Sequence, residues 1–209
     1  MQTSALVAYR QTTEYTCALS SYMTAMHELF GHEISPERER RLWQVVLPWY
    51  VRPFRSLLAK YVGTPPCNLA RYIQKHDKEV CCKLFTYRKN LEAMDKRRKL
   101  IGSLCSFHDW FMRVFIPLKP RADVLKVKQT AGDVLGYLEK CPDGRVLQVI
   151  AMQGGLVHFI LVRRDGGGGV VVMDPHDGTN TTVDAEGLAK KYGPVLFGYS
   201  IGLCRRVAR

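Results

Sequence analysis

The spacing of hydrophobic positions along this chain changes near residue 141. Before it, apolar side chains recur at three- and four-residue steps. Leu19, Tyr22, Met23, Met26 and Phe30 form one such face and predict a helix over about 17–29. Thr16 or Thr12 is placed to cap its start, and Gly31 to end it. Ser35-Pro36-Glu37 reads as an N-cap with proline in the first turn, opening a helix that runs toward Leu47 and stops before Pro48, with a further stop at Pro53. From there to Lys128 the pattern is mostly helical but irregular, with breaks at Gly63-Thr64-Pro65-Pro66, at Gly102 and at 117–120. One more short helix is predicted over 130–140. After Cys141-Pro142-Asp143-Gly144 come β-branched runs at 146–150, 157–163 and 170–173, separated by glycine turns, and a final strand pair is expected around 195–204. Helices first and antiparallel strands last make an α+β order, unlike the βαβ alternation of a nucleotide-binding sheet. No internal repeat is visible.

The length of 209 residues suits one domain over 1–209. Apolar residues at 46% and charged residues at 24% place the chain among ordinary globular proteins and exclude disordered or collagen-like classes. The longest apolar run, 147–162, is broken by Gln148, Gln153, Gly154, Gly155 and His158, so no membrane span is expected. The first fifteen residues carry neither a basic leader nor an apolar stretch, and classical secretion is not expected. Seven cysteines without regular spacing do not suggest a disulfide framework, and a reducing compartment is expected: the cytoplasm, or the cytoplasm of a cell into which the protein is delivered.

The net charge of +12 is unevenly placed. From Glu33 to Thr130 there are 21 Lys and Arg against 9 Asp and Glu, while the flanks together are neutral. The chain therefore carries an enlarged basic helical region over about 33–130. Such a surface attracts acidic partners through a field that salt screens. Its densest cluster, Lys96-Arg97-Arg98-Lys99, reads either as a solvated helix face or as a docking patch for an acidic protein substrate. Trp43, Trp49 and Trp110 near arginines could stack on bases, but aromatic residues in helices more often belong to the core, which argues against a nucleic-acid partner.

The chemistry concentrates elsewhere. Cys17 stands at the predicted start of the first helix, where free backbone N–H groups favour an anion, as a nucleophile needs. A lone Cys is more often a small core residue. Gln11, six residues upstream in Q-T-T-E-Y-T-C, changes the reading, because its amide could donate to a developing oxyanion together with the Cys17 N–H. A histidine base and a residue to orient it are then required. Among six histidines, only His158 lies inside an apolar strand, where an unpartnered ring is costly. A hairpin through 166–169 would bring Asp174 alongside it, supplying the orienting carboxylate.

Q-x5-C before a helix ending in Phe-Gly, then His-aromatic-Ile-x-Val, then Asp-Pro-x-x-Gly sixteen residues after the His, resembles the bacteriocin-processing C39 peptidases of papain-like fold. The resemblance covers about 10–31 and 145–200, and the stretch at 188–197 is similar to the family's last strand. Thr16 and Ala18 stand where the family usually has an acidic residue and a glycine. The resemblance implies a papain-like cysteine peptidase with Cys17 as nucleophile, His158 as base, Asp174 as orienter and Gln11 as oxyanion donor, cleaving after Gly-Gly pairs and using no cofactor. A toxin or effector domain acting on proteins of a target cell, with a cognate immunity or inhibitor protein as a further partner, is the expected setting. Leader-peptide processing in trans, a deamidase or acyltransferase on the same constellation, and an inactive binding domain are the alternatives.

Other motifs carry less. Cys81-Cys82 with Cys105 and His108 lack the paired spacing of a structural zinc site, and no metal is expected. The tetraglycine at 166–169 has no following Gly-Lys-Ser or Gly-Lys-Thr and reads as a turn. His176 and Asp177 read as turn residues after Asp174-Pro175, with Asp177-Gly178 closing the loop.

Overall fold

The first helix, α1 (Cys17–Phe30), is apolar or small at nearly every position, and a helix of that kind is stable only when enclosed. Ala18, Leu19, Met23, Ala25 and Met26 are wholly inaccessible in the computed structural model, which describes residues 6–47, 64–87, 89–90, 123–125, 127–152, 157–165, 167 and 169–206. Of its buried hydroxyls, that of Thr24 is accommodated within the helix, with Oγ1 donating to the Ser20 carbonyl at 2.9 Å. Helix α2 (Pro36–Val46) starts at Ser35, whose hydroxyl accepts from the Arg38 N–H at 3.3 Å. Helix α3 (Pro66–His76) buries Leu69, Ala70 and Ile73 beside α1 and α2.

Among the described residues the remaining elements are β1 (Val80–Tyr87), β2 (Asp123–Leu125), α4 (Ala131–Lys140), β3 (Arg145–Ala151), β4 (Val157–Arg164), β5 (Val170–Asp174), β6 (Thr179–Val183), α5 (Ala185–Tyr192), a 3-10 turn (Gly193–Val195) and β7 (Leu196–Arg205). The seven strands form one sheet in the order β2-β1-β7-β3-β4-β5-β6, antiparallel except for the β1–β2 pair. Side chains alternate across it. Leu147, Val149, Phe159, Leu161, Met173, Tyr199 and Ile201 face α1, α2 and α3, whereas Val146, Ile150, Ile160, Val162 and Val172 face α4 and α5. Both faces are covered, which is why the central strands read as continuous apolar runs. The fold class is α+β, and among the described residues no helix is long and apolar enough to cross a membrane. Among the described residues, Cys17, Cys81, Cys82, Cys141 and Cys204 are free thiols.

The structure departs from the sequence expectation in three places. The stretch expected to be mostly helical contains β1, whose residues alternate between Val80 and Leu84 in the α1-side core and Phe85, which meets Tyr137 of α4 edge-on. Between sheet neighbours β7 and β2, tertiary pairing outweighs local propensity. The expected strand pair at 195–204 is the single ten-residue strand β7. Within it Gly198, at φ 91°, lies where the β3–β7 register slips between Gln148–Ser200 and Ile150–Leu196, a bulge inside one strand. Finally, 188–192 belongs to α5, and the last strand begins only at Leu196. The breaks expected at Pro53, Gly102 and 117–120 lie outside the described residues.

One buried ionic cluster joins the two ends of the fold. Glu28, near the end of α1, pairs with Arg145 Nε at 2.7 Å and Arg163 Nε at 3.0 Å. Arg163 is wholly buried, and burial, with Arg145 beside it, draws its guanidinium down to about 10 despite Glu28. The N–H of Val7 donates to Glu28 Oε1 at 3.1 Å, while Arg163 Nη2 donates to the Val7 carbonyl at 3.1 Å and to Asn180 Oδ1 at 2.7 Å. The extended segment before α1 is thereby sewn to the sheet. Glu28→Ala would leave two buried guanidinium groups without that carboxylate, and a loss of about 3–5 kcal/mol in unfolding free energy is expected in urea titration. A loss below about 1 kcal/mol would show that the cluster does not hold this end of the fold together.

Candidate active site

Cys17 is the first residue of α1 and is buried. Its N–H belongs to the first turn and has no intrahelical acceptor. Neither threonine expected to cap this helix does so. Thr16 occupies the capping position, but its hydroxyl turns back to donate to the Thr13 carbonyl at 3.1 Å, and the Thr12 N–H goes to Glu39. A side-chain cap is worth about 1 kcal/mol at such a position. Without it, the positive end of the helix dipole is left open beside the thiol.

His158 lies one residue into β4 and is 5% exposed. The β4–β5 hairpin pairs Leu161 with Met173 and Arg164 with Val170, and its turn is closed by Asp165, whose Oδ1 accepts from the N–H groups of Gly167 at 3.0 Å and Gly169 at 2.6 Å. That register sets Asp174 diagonally across from His158 on one face of the sheet. His158 Nε2 donates to Asp174 Oδ1 at 2.7 Å. Cys17 lies near enough to the imidazole to influence its protonation. Burial disfavours a charged ring, but Asp174 and Cys17 outweigh it and raise His158 to about 9. Asp174 is held below its ordinary range: burial opposes its charge, but the His158 hydrogen bond and the His176 N–H, at 2.9 Å, more than compensate.

Gln11 is tied to the same turn, since its N–H donates to the Pro175 carbonyl at 2.7 Å. Its side-chain oxygen is buried and has no hydrogen-bond partner among the described residues, so this amide is not consumed in holding the fold. Gly178 closes the turn with its N–H on the Asp174 carbonyl at 2.9 Å, and its φ of 70° is in the left-handed region. A Cβ there would lie 2.9 Å from Arg10 Cβ and 3.0 Å from Arg10 N, against the residue preceding Gln11. Asp177 accepts from the Thr179 N–H and hydroxyl, as a turn residue does. His176 is exposed, and its ring stands edge-on to His158 at 6.3 Å.

The structure thus brings together Cys17, His158, Asp174 and the Gln11 segment. Lys96, Arg97, Arg98 and Lys99 lie outside the described residues, as do Trp49, Trp110, Cys105 and His108; Trp43 packs against the α1 core. Among the described residues, no group of three or more His, Cys, Asp or Glu is placed to hold a metal ion. One residue the sequence reading passed over is Glu39, wholly buried beside the Gln11 segment. Its signal was present. Glu39, Leu42 and Val46 are the buried residues of α2 and share the three- and four-residue spacing of an apolar face, so a carboxylate sits where a hydrophobe is expected.

Gly178→Ala should lower unfolding free energy by about 1–3 kcal/mol, through left-handed strain and contact with the Arg10 backbone. A thermal or urea unfolding curve superimposable on wild type would show that the turn has room to relax. Comparison of the chain with models of protein families gave no match, and comparison with curated proteins gave none either.

Proposed function

We propose that this protein is a cysteine endopeptidase of papain-like architecture that cleaves protein or peptide substrates. The observation that carries the reading is the buried His158 imidazole, joined to Asp174 at 2.7 Å and raised in pKa by Asp174 and by Cys17, which stands at the uncapped start of α1. A ring raised to about 9 is an imidazolium at neutral pH, the partner that stabilises a thiolate. In this proposal the Cys17 thiolate attacks the scissile carbonyl, and the oxyanion receives the Cys17 N–H and the Gln11 amide. His158 gives its proton to the leaving amine as the C–N bond breaks, leaving a thioester on Cys17. Water then adds to the thioester with His158 as base, releasing the acid and restoring thiolate and imidazolium. Asp174 keeps the ring's orientation and charge without reacting. Preference for Gly-Gly sites is proposed from the sequence resemblance alone.

The test is mass spectrometry of Gly-Gly-containing peptides after incubation with wild-type protein. A new carboxyl terminus after Gly-Gly supports peptidase action, whereas an intact chain with one amide converted to acid, or with an acceptor amine joined to it, favours the deamidase or acyltransferase alternative. Cys17→Ala and His158→Ala should each abolish turnover while leaving the unfolding transition in place, since losing either member of the pair costs orders of magnitude in rate. Wild-type turnover by either variant would remove the assignment.

The pH dependence follows from the sign of the shift. Because the active pair needs protonated His158, kcat/KM should fall as pH rises through about 9. Asp174→Asn removes a contributor that raises the ring and leaves burial, which lowers it, so the alkaline limb should move to lower pH and turnover should drop less than in His158→Ala. An alkaline limb unmoved by Asp174→Asn would show that this carboxylate does not govern His158.

A further inference from the structure

The carboxylate of Glu39 gathers three parts of the site. Tyr9 Oη donates to Glu39 Oε2 at 2.9 Å, the Thr12 N–H reaches both oxygens at 3.2 Å, and Ser20 Oγ donates to Oε1 at 2.9 Å. Tyr9 and Thr12 flank Gln11, and Ser20 is on α1, one turn beyond Cys17. Glu39 itself is wholly buried on α2. On its other side the Gln11 segment is held by the Pro175 carbonyl and by the backbone approach of Gly178 to Arg10. A buried carboxylate met by hydroxyl and amide donors on separate elements resists displacement, because moving any donor away leaves charge unsatisfied in a dry site.

We propose that Glu39 is the positioning residue of the oxyanion site: through Tyr9, Thr12 and Ser20 it sets where the Gln11 amide stands relative to the Cys17 thiol. This rests on the peptidase reading and assigns the alignment of its transition-state donor to a residue that touches neither substrate nor nucleophile. Of the two buried carboxylates on the segment, Glu28 anchors its far end at Val7, and Glu39 alone brackets Gln11. The effect of Glu39 should therefore appear in reactions that pass through an oxyanion and be absent from those that do not.

Two reagents separate these cases on the intact protein. Acylation of Cys17 by the p-nitrophenyl ester of acetyl-Gly-Gly passes through a tetrahedral oxyanion; alkylation by iodoacetamide displaces iodide and forms none. Peptide mass mapping reads both at Cys17. Glu39→Gln, which keeps the side chain's size but places an amide donor against the Thr12 N–H or a hydroxyl, should slow acylation at least tenfold, as should Gln11→Ala, whose loss reaches about a hundredfold. Alkylation should stay within about twofold of wild type in both, since no oxyanion donor takes part. In the Gln11→Ala background, Glu39→Gln should add less than about threefold, because two residues acting through one donor are not additive. Tyr9→Phe removes a single hydroxyl and serves if Glu39→Gln does not fold; it should show the same acylation-only loss, smaller in size. Additive losses, or equal slowing of acylation and alkylation, would overturn the positioning role while leaving the peptidase reading intact. A wild-type Cys17 that is alkylated but not acylated would instead overturn the peptidase reading, and this inference with it.

Discussion

Helix α1 is enclosed along almost its whole length, and a helix inside a close-packed interior cannot slide without opening voids or forcing side chains into one another. The place of Cys17, at its first residue, is therefore decided by contacts several turns away, through Leu19, Met23 and Met26 against β3, β4 and β7 and against α2 and α3. His158 rises from the same sheet, so the thiol and the imidazole share one packed support. The polar exceptions within this enclosure are few. Glu28 and Glu39 both accept from the extended segment before α1, converting a stretch without regular hydrogen bonds into a clamped strap.

The electrostatics of the site are asymmetric. On one side of the thiol is a helix start without a side-chain cap, and on the other an imidazole whose pKa Asp174 raises against the effect of burial. The missing cap forgoes local stability, whereas the left-handed turn beside the Gln11 segment is met by a glycine, Gly178, which takes that conformation without strain.

Much of this layout was legible in the chain. The three- and four-residue spacing of Leu19, Tyr22, Met23 and Met26, the proline at the start of α2 and the β-branched runs around His158 correspond to elements of the structure, and the hairpin argument set Asp174 beside His158. Elements with weak local signals were not legible. β1 depends on β7 and β2 for its pairing, β6 is made of threonine and asparagine at a sheet edge, and Gly198 and Gly202 imitate turns inside a long strand. The buried carboxylates were missed because charge is ordinarily read as exposure; their donors lie on other elements, and only tertiary structure shows that a hydroxyl or an amide is waiting for them.

The position of β7 has a kinetic side. It is the latest of the strands in the chain, yet it lies between β1 and β3 and joins the two parts of the sheet. Phe197, Tyr199, Ile201 and Leu203 on it also complete the apolar floor beneath α1. Until 196–205 has left the ribosome, the first-made helix has only part of its support, and pairings this distant in sequence form slowly. The full support beneath Cys17 and His158 is thus completed only after the last of the described strands has been made.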